Sequence, residues 1–191
     1  MNISEYESVK DFEYPQYCDY LQNKYGIGLS DYMRKSWTKK PKCSRTKEGL
    51  LAHHKFEDHT IQLSHPNHAK QHPFEWQAAK NIVYCDCLEH LLLHILIYEK
   101  EKGLGIGGIL TYMVPELNDV YSGWCSKQQW QQNCHDLIIH DKDVYLTLLQ
   151  RFIEESGFPR PPIWLFSSFN EKYGAWSKNN NIDLFNEMNQ L

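Results

Sequence analysis

The sequence lacks the features of three classes of protein. No apolar run approaches the roughly 20 residues that a membrane-spanning helix needs. The acidic, aromatic start MNISEYESVKDFEYPQY has no positively charged stretch before an apolar one, as a secretory signal would have. None of the six cysteines forms a Cys-x-x-Cys pair, which is half of the usual zinc ribbon. We therefore expect a cytoplasmic protein with no membrane contact, whose cysteines are free thiols.

An excess of positive charge is also missing from the chain as a whole, since the net charge is −4. The distribution is uneven, however. Residues 34–47 (RKSWTKKPKCSRTK) carry seven Lys or Arg and no acid, whereas the rest of the chain has 13 basic and 24 acidic residues. Because a phosphate backbone is bound through such side chains, we predict nucleic-acid contacts by Arg34, Lys35, Lys39, Lys40, Lys42, Arg45 and Lys47. The alternative is a solvated linker that is basic without binding an anion.

Histidine, in contrast, is abundant and concentrated. Eight of the ten histidines lie between Leu50 and Tyr98. Histidine moves protons near neutral pH and binds transition metals. This crowding therefore predicts a functional site in that stretch.

The spacing of four of these histidines indicates how such a site would be built. The pattern CLEHLLLHILIYEKEK predicts a helix from about Cys87 to Lys102, on which His90 and His94 face the same way. His53 and His54 follow a short apolar run that suits a strand, where successive side chains point to opposite faces. One of this pair could join the helical histidines around a metal, while the other stays free to take a proton from water. A lone histidine on an apolar helix face is usually a core residue, but the four together favour a site.

The remaining patterns predict a mostly helical α+β fold. Residues 5–33 have the spacing of one or two helices, with a break at Gly26 and Gly28, and residues 125–156 have helical spacing with a break near His140-Asp141. Ile61 and Leu63 alternate and could form a second strand, and PFEWQAAKNIVYCD is interpreted as a short helix leading into an apolar connection. GLGIGGIL lacks the Gly-Lys-Ser/Thr ending of a phosphate loop, so it is interpreted as a hinge or a tight turn between helices. Glu57 and Asp58 could tune the site, although acidic residues are more often solvated.

The order His-His … Asn … His-x-x-x-His resembles the HNH endonuclease motif of the ββα-metal, or His-Me finger, fold. The separation of nine from Asn81 to His90, and then of four to His94, is similar to that of the nuclease colicins. The stretch NIVYCDCLEHLLLH resembles the family phrase in which the asparagine precedes Leu/Ile-Val and a Cys-x-x-His. The resemblance covers about residues 48–98.

This resemblance implies a role for each residue of the motif. His53, His90 and His94 would bind one divalent ion, for which Zn, Ni, Mn and Mg are candidates, and His54 would be the general base. Asn81 would hold the loop between the two strands by hydrogen bonds to backbone. The implied activity is hydrolysis of phosphodiester bonds in nucleic acid, with DNA favoured over RNA. By analogy of fold, the setting would be defence against phage, a mobile element or packaging.

The implied organisation has three parts. Residues 1–47 form a helical N-terminal extension, residues 48–102 the ββα-metal core, and residues 103–191 a helical region packing on the core and available to a protein partner. One alternative is a zinc-stabilised, non-catalytic module that binds nucleic acid or protein, with Cys85 or Cys87 among the metal ligands. The interval of 27 residues from His54 to Asn81 is longer than a compact hairpin needs, so the position of the second strand stays open.

Overall fold

The computed structural model describes residues 1–124, 126–157 and 182–191. The helices in this part of the chain are α1 (Ile3–Val9), α2 (Tyr14–Tyr25), α3 (Pro66–Ala69), α4 (Cys87–Lys100), α5 (Ile106–Gly108), α6 (Val114–Tyr121), α7 (Gln129–Asp136), α8 (Lys142–Ser156) and α9 (Ile182–Met188). A π-helical turn (Ile109–Met113) joins α5 to α6. Single 3₁₀ turns occupy Pro41–Cys43, Thr46–Glu48, Lys55–Asp58, Phe74–Gln77 and Ala79–Asn81. The predicted mostly helical α+β fold is confirmed.

The two strands, β1 (Leu51–His54) and β2 (Ile82–Cys85), form one antiparallel pair in which His53 lies opposite Val83 and His54 opposite Ile82. The prediction of a second strand at Ile61 and Leu63 is therefore wrong, as is the interpretation of the IVYC run as a connection. All residues of β2 are buried. A strand buried on both faces shows no alternation of polar and apolar residues, so its short apolar run resembles a connection in sequence.

Helix α4 begins one residue after β2, and its start is specified locally. Asp86 is the N-cap, and its carboxylate accepts hydrogen bonds of 2.8 Å from the backbone N–H groups of Leu88 and Glu89. The Glu89 carboxylate in turn accepts a hydrogen bond of 2.7 Å from the backbone N–H of Asp86, which completes a capping box. The predicted helix is confirmed, ending at Lys100. Since it is apolar on nearly all sides, α4 is a central helix.

The main hydrophobic core surrounds α4 and draws on α1, α2, β2 and the helices that follow α4. Tyr17 and Leu21 of α2 and Leu148 and Phe152 of α8 belong to the same buried cluster as the leucines of α4. The contact between α4 and α8 is reinforced at its edge, where Arg151 donates to the Glu99 carboxylate at 2.6 and 2.8 Å. The end of β1 and one face of α4 are thereby held against a rigid interior.

The C-terminal helices follow the predicted break, because α7 ends at Asp136 and α8 begins at Lys142. Much of the segment predicted to be available to a protein partner, residues 158–181, lies outside the described residues. Among the residues that are described, no helix combines the length and the apolar character needed to cross a bilayer.

Candidate metal centre

Three histidines from two elements meet at one point. His53 lies in β1, and His90 and His94 lie one turn apart on α4. Their ring centroids are separated by 5.3 Å (His53–His90), 5.2 Å (His53–His94) and 4.9 Å (His90–His94). One nitrogen of each ring lies within 4.8 Å of the others, which is close enough for the three to hold one metal ion. His53 and His94 are buried, whereas His90 is partly exposed.

Glu57, which the sequence analysis named with Asp58 as an acid that could tune the site, lies within this cluster. The 3₁₀ turn Lys55–Asp58 follows β1 directly and places the carboxylate of Glu57 among the histidine rings. Oε2 lies 3.6 Å from Nδ1 of His53 and 3.5 Å from Nε2 of His94, and Oε1 lies 3.7 Å from Nδ1 of His54. The side chain is 14% exposed, so the expectation of a solvated acid is wrong for this residue.

Hydrogen bonds on the far side of two rings determine which nitrogen faces the cluster. Nε2 of His53 lies 2.9 Å from the Tyr14 hydroxyl, which donates its own proton to the backbone oxygen of Lys55 at 3.0 Å. With its proton given to Lys55, the hydroxyl is able to accept from Nε2–H of His53, and that tautomer leaves Nδ1 of His53 as an acceptor. Nδ1 of His94 donates to the backbone oxygen of Gly105 at 3.3 Å, which leaves Nε2 as the acceptor. Such outer contacts orient the histidine ligands of metal sites.

The glycine-rich stretch makes the contact with His94 possible. Gly105 has a φ of 77°, in the left-handed region that favours glycine. A Cβ atom at Gly108 would lie 2.7 Å from Cε1 of the His94 ring. Residues 103–105 lie in the turn between α4 and α5, in line with the turn predicted from the sequence, whereas residues 106–110 continue into α5 and the π-helical turn. Because glycine has no side chain, the backbone of Gly105 and Gly108 can approach the His94 ring.

Electrostatics keep the cluster in the state that binds cations. Burial lowers the pKa of His53 to about 3 and that of His90 well below its usual value, so both rings are neutral near pH 7. Burial of Glu57 opposes ionisation, whereas the positive charge that the neighbouring histidines carry when protonated lowers the pKa of Glu57 to well below its usual range. Metal ligation requires neutral imidazole and ionised carboxylate.

The donor set fits a divalent metal ion. Within the described part of the chain, Nδ1 of His53 and Nδ1 of His54 are buried without a hydrogen-bond partner. Ligand atoms about 2.1 Å from a tetrahedral zinc ion lie about 3.4 Å apart, close to the 3.5 and 3.6 Å separations between Glu57 and the rings of His94 and His53. Imidazole nitrogens suit Zn, Ni and Mn, while Mg would need additional oxygen ligands.

The ring of His54 lies outside the group of three, because side chains alternate along β1, but its Nδ1 is 3.7 Å from Oε1 of Glu57. The His54 ring contacts Tyr32 edge-on, with centroids 4.5 Å apart, and Nε2 lies 3.1 Å from Oε1 of Gln77. The residue has no exposed surface. Asn81 lies just before β2, and its Nδ2 donates to the backbone oxygen of Glu75 at 2.8 Å. This side-chain bond to backbone lies within the segment between the two strands.

The cysteines considered as alternative ligands lie elsewhere. Among the described residues, the group of side chains that could hold a metal contains neither Cys85 nor Cys87. The Cys85 thiol is 3.9 Å from the backbone oxygen of Leu51, and the Cys87 thiol forms a hydrogen bond with Cys134.

The basic side chains of residues 34–47 divide into two groups. Lys40 lies 3.0 Å from Asp31, and Arg45 pairs with Glu48 while donating to the backbone oxygen of Tyr25 at 2.6 Å. The others are exposed and have no acidic partner within the described residues: Arg34, Lys35, Lys39, Lys42 and Lys47. These five are therefore available to an anionic ligand.

A cavity of about 440 Å³ connects this segment with the histidines. Its lining includes Lys39 and Arg45 of the basic segment, Trp130 of α7 and His90 of the cluster. The partly exposed member of the cluster thus faces a space that a ligand could enter.

Contacts at long range explain why some site residues were missed. Tyr14 and His53 are 39 residues apart, and Gln77 and His54 are 23 apart, so no local period links them. The sequence offered one local indication of these contacts, the carboxylate of Glu57, which follows His54 by three residues.

No protein-family model matches this chain, and no curated protein or solved structure matches it.

Proposed function

We propose that this protein is a metal-dependent endonuclease of the HNH type, in which β1, β2 and α4 form the ββα-metal core. One observation carries the proposal: rings from the first strand and from the following helix converge on one point, with the His54 ring beside them at the same carboxylate. The chain order strand, strand, helix is the order that the resemblance implies. A structural metal site would have no need of His54.

His53, His90 and His94 would hold the ion, with Tyr14 and Gly105 orienting two of the rings. The unpartnered Nδ1 of His53 and the carboxylate of Glu57 support this assignment, since buried polar atoms normally have partners. A bound divalent ion would offset the negative charge that develops on the phosphate and on the leaving oxygen. Zn, Ni and Mn fit the donors best.

His54 would act as the general base. Its Nδ1 would accept a proton from the water that attacks phosphorus, while the bond from phosphorus to the 3′ oxygen breaks and that oxygen takes up a proton. The products would carry 5′-phosphate and 3′-hydroxyl ends. Because His54 is fully buried, we expect water to enter from the cavity on the His90 side. A positioned base of this kind typically contributes about 10²–10⁴-fold in rate.

The five unpaired basic side chains support nucleic acid as the substrate, with DNA favoured over RNA. One of the five, Lys39, lines the cavity, and the other four belong to the same segment, while the rest of the chain is acidic. A phosphate backbone would approach the site along this segment, because it is the main concentration of cationic side chains in the sequence.

Plasmid cleavage tests the proposal. Wild-type protein and the His54→Ala variant are compared with each of Zn, Ni, Mn and Mg, and exposed His140→Ala serves as the control for loss of a histidine. We expect cleavage by wild type and the control with at least one metal, and a loss of about 10²–10⁴-fold for His54→Ala with the metal content unchanged. Equal cleavage by wild type and His54→Ala would remove His54 from the mechanism.

The position of Glu57 favours a second candidate, a zinc-stabilised module without hydrolytic activity. If Oε2 joined the three histidines, four protein ligands would close the site, as in structural zinc centres. Cobalt-substituted protein distinguishes the two. An open position would bind azide and change the visible spectrum, whereas a closed set of ligands would leave the spectrum unchanged.

A further inference from the structure

Gln77 is a buried side chain outside the predicted motif, and it contacts the ring of His54. Its Oε1 lies 3.1 Å from Nε2 of His54, and its Nε2 donates to the backbone oxygen of Leu63 at 3.2 Å. The residue is 1% exposed and ends the 3₁₀ turn Phe74–Gln77, between the two strands. Both polar atoms of its amide are thus engaged.

The bond to Leu63 decides which way the amide faces. A backbone carbonyl only accepts hydrogen bonds, so the NH₂ group of Gln77 must face Leu63 and its oxygen must face His54. That oxygen also only accepts, so Nε2 of His54 must carry the ring proton. The opposite tautomer would place two lone pairs against each other across 3.1 Å.

In the neutral form of the ring, which carries one proton, Nδ1 of His54 is then the acceptor. This Nδ1 is buried, has no hydrogen-bond partner within the described residues, and lies 3.7 Å from Oε1 of Glu57. The other carboxylate oxygen of Glu57 approaches His53 and His94. The lone pair of His54 is therefore directed toward the candidate metal centre.

The backbone around Gln77 holds this arrangement in place. The N–H of Tyr32 donates to the backbone oxygen of Gln77 at 2.8 Å, and the Tyr32 ring packs against His54. Two residues earlier, the backbone oxygen of Glu75 accepts the bond from Asn81. The amide is presented to His54 from a turn fixed at both ends, rather than from a free loop.

We infer that Gln77 is a positioning residue that holds His54 as the Nε2–H tautomer, so that Nδ1 is the atom available to take a proton from water. The inference rests on the proposed function for its role in hydrolysis. The tautomer itself can be measured without metal or nucleic acid.

Long-range ¹H–¹⁵N correlation spectra of ¹⁵N-labelled, metal-free protein measure the tautomer directly, with the His54 signals assigned by their loss in His54→Ala. At a pH where the His54 ring is neutral, we expect a protonated Nε2 and an unprotonated Nδ1 in wild type. Gln77→Met removes the acceptor at similar length and should give a mixture of tautomers. Gln77→Glu keeps an acceptor and should restore the wild-type pattern. An unchanged pattern in Gln77→Met, or a protonated Nδ1 in wild type, would overturn the inference.

Two further measurements separate positioning from a general structural role. Zinc affinity of Gln77→Met should stay within about twofold of wild type, because Gln77 contacts none of the three clustered histidines. If the protein cleaves nucleic acid, kcat of Gln77→Met should fall by about 10–100-fold, the usual cost of losing an outer contact, with KM unchanged and recovery in Gln77→Glu. Should no form cleave, the proposed function fails while the spectra still decide the tautomer. Wild-type kcat in Gln77→Met would show that the glutamine has no positioning role.

Discussion

Oε2 of Glu57 lies 3.6 Å from Nδ1 of His53, too far for a hydrogen bond and close to the separation of two ligands around one cation. Nδ1 is an acceptor in the tautomer of His53 whose Nε2–H donates to the Tyr14 hydroxyl. An acceptor facing a carboxylate is unfavourable unless positive charge lies between them. This relationship makes Glu57 the residue on which the metal hypothesis can be tested most directly.

We expect Glu57→Gln to weaken zinc binding by about 10–100-fold, because the variant loses the negative charge next to His53 and His94. Titration calorimetry at neutral pH measures the change. Glu7→Gln removes an exposed acid that pairs with Lys10 and should leave the affinity unchanged. Equal affinity in Glu57→Gln and wild type would show that the carboxylate does not contact the ion.

Gly108→Ala should also weaken metal binding, by about tenfold or more. The added Cβ would lie 2.7 Å from Cε1 and 2.8 Å from Nδ1 of His94, so the ring must move away from the bond to Gly105. Gly107→Ala is the matched control, because a Cβ there meets nothing within 4 Å. Zinc titrations of Gly108→Ala and Gly107→Ala test this prediction. Similar zinc affinities of the two variants would contradict the proposed orientation of His94.

Replacing Lys35, Lys42 and Lys47 together by Gln should weaken DNA binding and lower its salt dependence. Each phosphate contact contributes about 0.9 to the slope of log K against log salt, so the slope should fall by up to about 2.7. Fluorescence anisotropy in a His54→Ala background measures binding without cleavage. Lys102→Gln, which pairs with Glu155 outside the segment, is the control. An unchanged slope would indicate a solvated basic linker.

Asp119→Asn should stabilise the protein at pH 7 and have little effect at pH 4. Burial, with a contribution from Glu116, raises the pKa of Asp119 to about 6. The folded state therefore binds more protons than the unfolded state between about pH 4 and 6, and this carboxyl makes stability fall as the pH rises through that range. We expect a gain of about 1–3 kcal/mol at pH 7, since one pKa unit corresponds to about 1.4 kcal/mol. Urea unfolding of wild type and Asp119→Asn at pH 4 and pH 7 tests the prediction. An equal gain in the free energy of unfolding at the two pH values would contradict it.

The sequence was informative where the determinants are local. The helix from Cys87 was predictable from apolar spacing and from the Asp86-x-x-Glu89 capping pattern, and its four-residue histidine spacing places both rings on one face. The second strand was not predictable in the same way. Ile82–Cys85 is buried on both faces, so it lacks the alternation by which a half-buried strand is recognised.

By itself, the sequence determined that His90 and His94 lie side by side and that His53 and His54 point in opposite directions, because these relations follow from the repeat of a helix and of a strand. Only the tertiary structure decided that Tyr14, Glu57, Gln77 and Gly105 surround the histidines. Their contacts depend on how α2, the 3₁₀ turns and the turn after α4 pack together. No periodicity in the chain encodes that packing.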